Sequence, residues 1–405
     1  MAEPHAGRRA GAVRLPPVVR SLGVVSFLND LASEMVYPLL PAFLTGRLGA
    51  GALALGALDG IADAAAAGVK LGAGWLSDHR AWRRPLIVGG YLIAALTRPL
   101  MGLAGAAWHV IALRATDRLG KGARNPPRDA VIADAAPLAL RGRAFGYHRG
   151  MDHAGAAVGP LVASALLAGF ALSPRDVILW SVVPGLAAVG VVALTLRRFL
   201  PEREASAPPA RPTPARTPPP RALIAAIMVF AFARLPETLF ILRLQDVGVH
   251  VALVPVLWSL LHVVRTAGSY PGGWLSDRVG PARTMVLGWL VYATVCAGLA
   301  TTASPLAVAA WFVAFGLVAT VTESPERALV AAWGGHAARG RRFGMYHAGI
   351  GLAALPGGLV LGAVYQWRGG PTALLASGAV ALGLGVVGAL VSGKGTPGPP
   401  ARVAA

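Results

Sequence analysis

Charge is scarce in this chain. Only 14% of its 405 residues are Asp, Glu, Lys or Arg, where a soluble domain carries about a quarter, and 55% are apolar. A chain with so few charges cannot cover its own surface in water, so much of that surface must face lipid. Acids are scarcer still, 18 against 37 bases, which gives a formal charge of +19. In a soluble protein that excess would point to nucleic acid; here the bases sit in alternate loops between apolar runs, and nucleic acid is excluded as a partner. The single cysteine, Cys296, excludes an intrachain disulfide. Phosphate loops are missing too: Gly72-x-Gly74 and Gly120-Lys121-Gly122 lack the Lys-Ser/Thr that should follow and the strand-turn-helix setting. Neither a Ser-His-Asp constellation nor zinc-ligand spacing is found, so no enzyme activity, cofactor or resident metal is expected. Arg8, Arg9, Arg14 and Arg20 precede an apolar segment without a small-residue cleavage site, so that segment is expected to stay as a helix.

What is present is apolar sequence in bilayer-length pieces. Val177 to Leu196 and Pro371 to Gly393 are charge-free runs long enough to span. The pattern predicts an all-α polytopic membrane protein of twelve transmembrane helices, near 21–44, 51–76, 85–104, 107–132, 144–170, 177–196, 222–244, 251–275, 284–302, 306–330, 343–366 and 371–392. Lys and Arg then sort by side. Loops on the N-terminal side hold Arg80, Arg83, Arg84, Arg141, Arg143, Arg197, Arg198, Arg278, Arg283, Arg339, Arg341 and Arg342, whereas the opposite loops hold little beyond Arg47, Arg175 and Arg368. Both termini are therefore expected in the cytoplasm, with the chain multi-pass in the inner (plasma) membrane.

Two halves repeat. Gly74-Trp75-Leu76-Ser77-Asp78 recurs as Gly273-Trp274-Leu275-Ser276-Asp277, 199 residues later, and Pro126-Pro127-Arg128 corresponds to Pro325-Glu326-Arg327 at the same offset. The expected organisation is a six-helix bundle over 1–196, a cytoplasmic Pro/Arg-rich linker over 197–221, and a second six-helix bundle with a short tail over 222–405.

Taken together, these features resemble the major facilitator superfamily over nearly the whole chain. Gly74 to Arg84 is similar to the family's loop between spans two and three, with Asp78 at its acidic position and Arg83 or Arg84 at its basic ones; it departs at His79 and Ala81-Trp82. The second copy keeps Gly273, Asp277, Arg278 and Gly280. The resemblance implies that these loops latch the two halves in one conformation. Gly146, Gly155, Gly159 and Pro160 fit the span-five pattern that the family associates with antiporters, apart from Ala163-Ser164 where a trailing glycine pair stands. Physically, glycines four apart let a neighbouring backbone approach, and proline bends the span. Arg118 and Gly122 resemble the family's span-four element, whose arginine is linked to proton transfer. The family pattern also places spans one, four, seven and ten around a central cavity.

Ionisable residues inside the spans are costly unless paired or facing water, so they mark that cavity. Asn29, Asp30 and Glu34 lie near the middle of span one, and Asp30 and Glu34, four apart, share a face where they could exchange protons or be neutralised by arginines. Arg114, Asp117, Arg118 and Lys121 on span four can pair locally. Arg234 and Glu237 on span seven and Glu323 and Glu326 on span ten occupy matching places in the other half. His148, Arg149, Asp152 and His153 on span five form a proton relay or gate; the metal alternative is opposed by Arg149. Arg124 to Asp129 around the paired prolines is expected as a gating turn. Asp59, Asp63, Lys70, Arg98, His262 and Arg265 are further intramembrane charges, expected to face inward or to snorkel.

The expectation is a monomeric secondary transporter that moves a small molecule by alternating access, with export driven by protons through Asp30, Glu34, Asp152, Glu237 or Glu323. A symporter importing an organic anion, with Arg114, Arg118 and Arg234 as the clamp, and a divalent-metal exporter using Asp30, Glu34, Asp152 and His153 are the alternatives. A membrane receptor ranks below them, because the tails and linker are too short and Pro-rich for a sensor domain.

Overall fold

The computed structural model describes residues 15–77, 79–136, 141–199, 221–332 and 339–392. These residues form twelve helical rods and no strand: α1 (Pro17–Val36), α2 (Ala52–Ser77), α3 (Arg80–Met101), α4 (Ala107–Ala135), α5 (Arg141–Gly169), α6 (Pro174–Trp180 and Val182–Phe199), α7 (Arg221–Ala233 and Glu237–Asp246), α8 (Val254–Val279), α9 (Pro281–Thr301), α10 (Pro305–Ala314 and Gly316–Ala332), α11 (Arg339–Arg368) and α12 (Gly370–Ser392). Eight of them, α2, α5, α6, α7 and α9 to α12, hold a stretch long and apolar enough to cross a membrane. The other four, α1, α3, α4 and α8, hold Asp30, Glu34, Arg98, Asp117, Arg118 and Arg265.

Local chemistry sets the ends. Proline fills the first turn of α1, α6, α8, α9 and α10, where its missing N–H costs nothing. Ser173 and Asp176 close a capping box at the start of α6. Between α8 and α9 the chain turns at Gly280, whose φ of 91° is strained for any residue with a Cβ. After α1, Pro38 and Pro41 interrupt the backbone ladder, and the chain reaches Arg47 through a 3-10 turn and a π turn. Paired prolines do not always interrupt: α4 runs straight through Pro126-Pro127, so the turn expected there is corrected to helix. Two prolines forfeit only two ladder bonds, and packing against α3, where Gly90 and Gly120 meet backbone to backbone, holds the rod.

The two halves pack alike. In the first, α1 lies on α5 and α6, α2 on α4, and α3 on α4 and α6; in the second, α7 lies on α11 and α12, α8 on α10, and α9 on α10 and α12. Contacts between halves follow the same rule, since α2 meets α11 and α5 meets α8. These contacts lie toward one face, opposite the one where the repeated strings end. A Cβ on Gly56 would fall 2.0 Å from the carbonyl oxygen of Gly358, and one on Gly60 or Gly362 would fall 3.0 Å from Leu355 or 2.9 Å from Ala52 across the seam. The Leu53 amide donates to Gln366 (3.1 Å), Ser259 donates to the carbonyl of Ala157 (2.8 Å), and Ser164 donates to that of Ala252 (2.7 Å). Toward the motif face α2 has open space at Gly68, Gly72 and Gly74, and Trp75 and its repeat partner Trp274 are 68% and 49% exposed. Among the described residues the halves therefore meet on the opposite face and diverge toward the motif face.

Candidate functional site

Between the halves lies a cavity of about 400 Å³. The first half lines it with Glu34 and Tyr37 of the α1 segment, Asp59 and Asp63 of α2, and Arg118 and Lys121 of α4. The second half contributes Phe230, Arg234 and Glu237 of α7, Trp258, His262 and Arg265 of α8, Glu326 of α10, and Ile350 of α11. Spans one, four, seven and ten do face the cavity, and α2, α8 and α11 join them. The polar residues share faces by helical spacing: Glu34 with Tyr37, Asp59 with Asp63, Arg118 with Lys121, and Trp258, His262 and Arg265 in one row.

Side chains of the cavity add further contacts between the halves at the closed end. Trp258 donates its indole N–H to Glu34 Oε2 (2.8 Å), and His262 Nε2 lies 4.0 Å from the same oxygen. Asp59 Oδ2 accepts from the Thr238 hydroxyl (2.8 Å), the Thr238 amide (3.2 Å) and the Tyr37 hydroxyl (3.0 Å). Tyr37 and Trp258 pack ring to ring at 5.1 Å. Within the second half, Glu237 holds Arg265 at 2.6 Å and Arg234 at 3.2 Å. Tyr346 donates to Glu326.

Several residues singled out by the sequence are placed elsewhere. Asp117 is fully buried and does not line the cavity; Arg98 Nε donates to it at 3.0 Å, and Arg114 sits 3.5 Å away. Arg98 also donates to the carbonyl and side-chain oxygens of Asn29, whose amide donates to Asp30 (2.8 Å). Arg114 stacks over Tyr37 at 4.7 Å. This knot ties α1, α3 and α4 together behind the cavity wall. Asp152 pairs with Arg149 (3.5 Å) and lies 3.7 Å from His148, whose other nitrogen meets Ser26 (3.1 Å). Among the described residues no group of His, Cys, Asp and Glu is arranged to hold a metal ion. Gly155 and Gly159 press against the α1 backbone at Phe27 and Leu31, next to Pro160, while Gly146 lies in the first turns of α5.

At the repeated strings, Arg83 donates to the Ser77 carbonyl and pairs with Asp134 (2.6 Å), and Arg278 stacks on Trp274 (4.2 Å). Gly74 and Gly273 meet no neighbouring atom within 4 Å of a Cβ. Arg84 stands on α3 one residue after Arg83. Asp78, the side chains of Asp277 and Glu323, and linker residues 200–220 lie outside the described residues. The residues left unassigned or unnoticed by the sequence reading, Tyr37, Asp59, Asp63, Trp258, His262 and Arg265, are cavity residues. Helical spacing from Glu34, and along the Trp258 row, was the available signal.

Comparison with known proteins places this arrangement. The sequence profile of the Major Facilitator Superfamily matches residues 22–265 and 223–404. An uncharacterized MFS-type transporter of Methanocaldococcus jannaschii is 28% identical over 89% of this chain and 90% of its own length. An uncharacterized protein of Mycobacterium tuberculosis is 31% identical over 86% of each chain. The multidrug resistance protein MdtH of Yersinia pestis is 32% identical over a shorter stretch, 36% of this chain and 38% of its own. Among solved structures, a variant of the peptide transporter POT superposes with a TM-score of 0.76 at 15% identity, covering 95% of this chain and 96% of that one. A bacterial homologue of the human lysosomal transporter Spinster, in an inward-facing and occupied conformation, superposes with a TM-score of 0.71 at 16% identity, covering 93% and 97%.

Proposed function

The chain belongs to the major facilitator superfamily and is a multi-pass membrane transporter, and on that premise we propose that it exports a small solute by alternating access against an inward flow of protons. The excess of basic residues in the loops supports a cytoplasmic motif face, with the cavity described above loaded from inside. The cavity is complete within one chain, which supports a working monomer.

One observation carries the coupling. Of the coupling carboxylates expected from the sequence, Asp30, Glu34, Asp152, Glu237 and Glu323, it is Glu34 among the described residues that both lines the cavity and bonds across the two halves, through Trp258. Asp30 is occupied by Asn29, Asp152 by Arg149, and Glu237 by two arginines of its own half. A carboxylate accepts a stronger hydrogen bond than a neutral acid. Protonating Glu34 weakens the tie between α1 and α8 at the closed end and lowers the cost of its burial as the halves rock. Deprotonation on the cytoplasmic side strengthens the tie and so holds the opposite face shut. Export is supported by the span-five glycine pattern and by the partial likeness to a multidrug resistance protein.

The test is proton release in everted vesicles. A screen of overexpressing cells against toxic small molecules supplies candidate solutes, each then added to vesicles holding a pH gradient reported by a quenched dye. The gradient is expected to collapse on solute addition in wild type and to persist in Glu34→Gln. Equal responses from both proteins contradict the coupling role.

A further inference from the structure

The charges around the cavity are unevenly satisfied. Glu237 is neutralised by Arg234 and Arg265, Glu34 accepts from Trp258, Asp59 accepts from Tyr37 and Thr238, and Glu326 accepts from Tyr346. Arg118 and Lys121 differ. Both line the cavity, neither makes an ion pair or side-chain hydrogen bond among the described residues, and Arg118 Nε is shut off from solvent without a partner. Neither cation is bonded directly by a carboxylate among the described residues, although the same lining holds Asp63 and the carboxylates Glu34 and Asp59, which are bonded by neutral donors.

A guanidinium and an ammonium three residues apart on one helix, both turned into a cleft at membrane depth and neither bonded directly, offer donors that an anionic group reaching both would satisfy. A guanidinium also presents a fork of N–H donors that matches carboxylate or phosphate oxygens. Across the cleft the second half offers Ile227, Phe230 and Trp258, an apolar wall. The space is that of a drug-sized molecule.

We infer that the solute is an organic anion with an apolar body, whose carboxylate or phosphate is held by Arg118 and Lys121 while its body packs on Phe230 and Trp258. This assignment rests on the transporter reading above and names the solute class of the same cavity.

The test uses matched probes: naphthalene-2-carboxylate and naphthyl phosphate, with naphthalene-2-carboxamide and naphthalene-2-methylammonium as the neutral and cationic counterparts. Purified protein in detergent is titrated with each while its melting temperature is followed, and the same compounds are offered to vesicles for flux. The two anions are expected to raise the melting temperature saturably and the other two to leave it in place. Arg118→Gln and Lys121→Gln should each weaken anion binding by roughly tenfold or more, and Arg118→Lys should restore part of the loss. Their unliganded melting temperatures should stay at or above that of wild type, because an unpaired charge is being removed. Failure of both anions to bind, equal stabilisation by the amide or the amine, or affinities indifferent to both Gln variants overturns the assignment. Flux of the amine alone would overturn the anion class and leave transport standing, whereas anion binding with no flux of any probe would remove the transport reading and leave the site.

Discussion

Single residues in this protein divide by whether their charge is already spent. Asp117 sits between Arg98 and Arg114 with no solvent contact, and removing one member of such a set leaves its partners charged and buried. Asp117→Ala is therefore expected to cost about 3 kcal/mol or more, read as a large drop in melting temperature and in monodisperse yield. A combined Arg98→Met and Asp117→Leu variant should lose less than the single change. Melting temperatures that rank the other way would contradict a structural role for the knot. The sequence showed that span four held too many charges to face lipid. It could not show which of them pair, because Arg98 reaches Asp117 from a different rod. Arg118 and Lys121, one and two turns along α4 from Arg114, were expected at the cavity along with Arg114 and Asp117, but spacing could not tell which of the four reach it. Tyr37 and Trp258 carry no charge, and so lacked the mark by which the others were found.

Elements meet where side chains shrink to nothing. On α2 and α11, Gly56, Gly60, Gly358 and Gly362 bring two backbones together across the boundary between halves. Gly56→Leu is expected to force them apart, with the roughly 1–3 kcal/mol that overpacking costs directed at the one state in which the seam is closed. The readout is alkylation of Ala52→Cys, in a Cys296→Ser background, by a membrane-impermeant thiol reagent added from the opposite face. Labelling should be slow without Gly56→Leu and severalfold faster with it; equal rates would mean that the seam does not hold that face shut. Rod number and order were readable from apolar runs because bilayer thickness fixes length. Their ends were less so: span one was expected to run to residue 44 but α1 ends at Val36, before Pro38 and Pro41, whereas α4 ignores Pro126-Pro127, since tertiary packing decides whether a broken ladder is tolerated. Of the glycines on α5, Gly155 and Gly159 could be recognised by spacing, but nothing in the sequence identified α1 as the surface they would meet.

At the scale of the whole molecule, a duplicated sequence becomes a duplicated packing scheme with its site on the pseudo-axis. The repeat at Trp75 and Trp274 announced this, and equivalent helix pairs in the two halves follow it. What no repeat can show is which face is shut, because both conformations of a rocking pair use the same matched elements. That depends on contacts of the kind made by Asp59 with Thr238 and by Glu34 with Trp258. The central claim is that the halves rock about the cavity, so that one face opens as the other closes. Two spin-label pairs test it directly in a Cys296→Ser background: Trp75→Cys with Trp274→Cys on the motif face, and Leu53→Cys with Trp367→Cys on the opposite face. Electron–electron distance distributions are recorded across pH and with a transported solute. The account predicts reciprocal change, the first distance shortening as the second lengthens; distances that rise and fall together, or stay fixed under conditions that support flux, would contradict it.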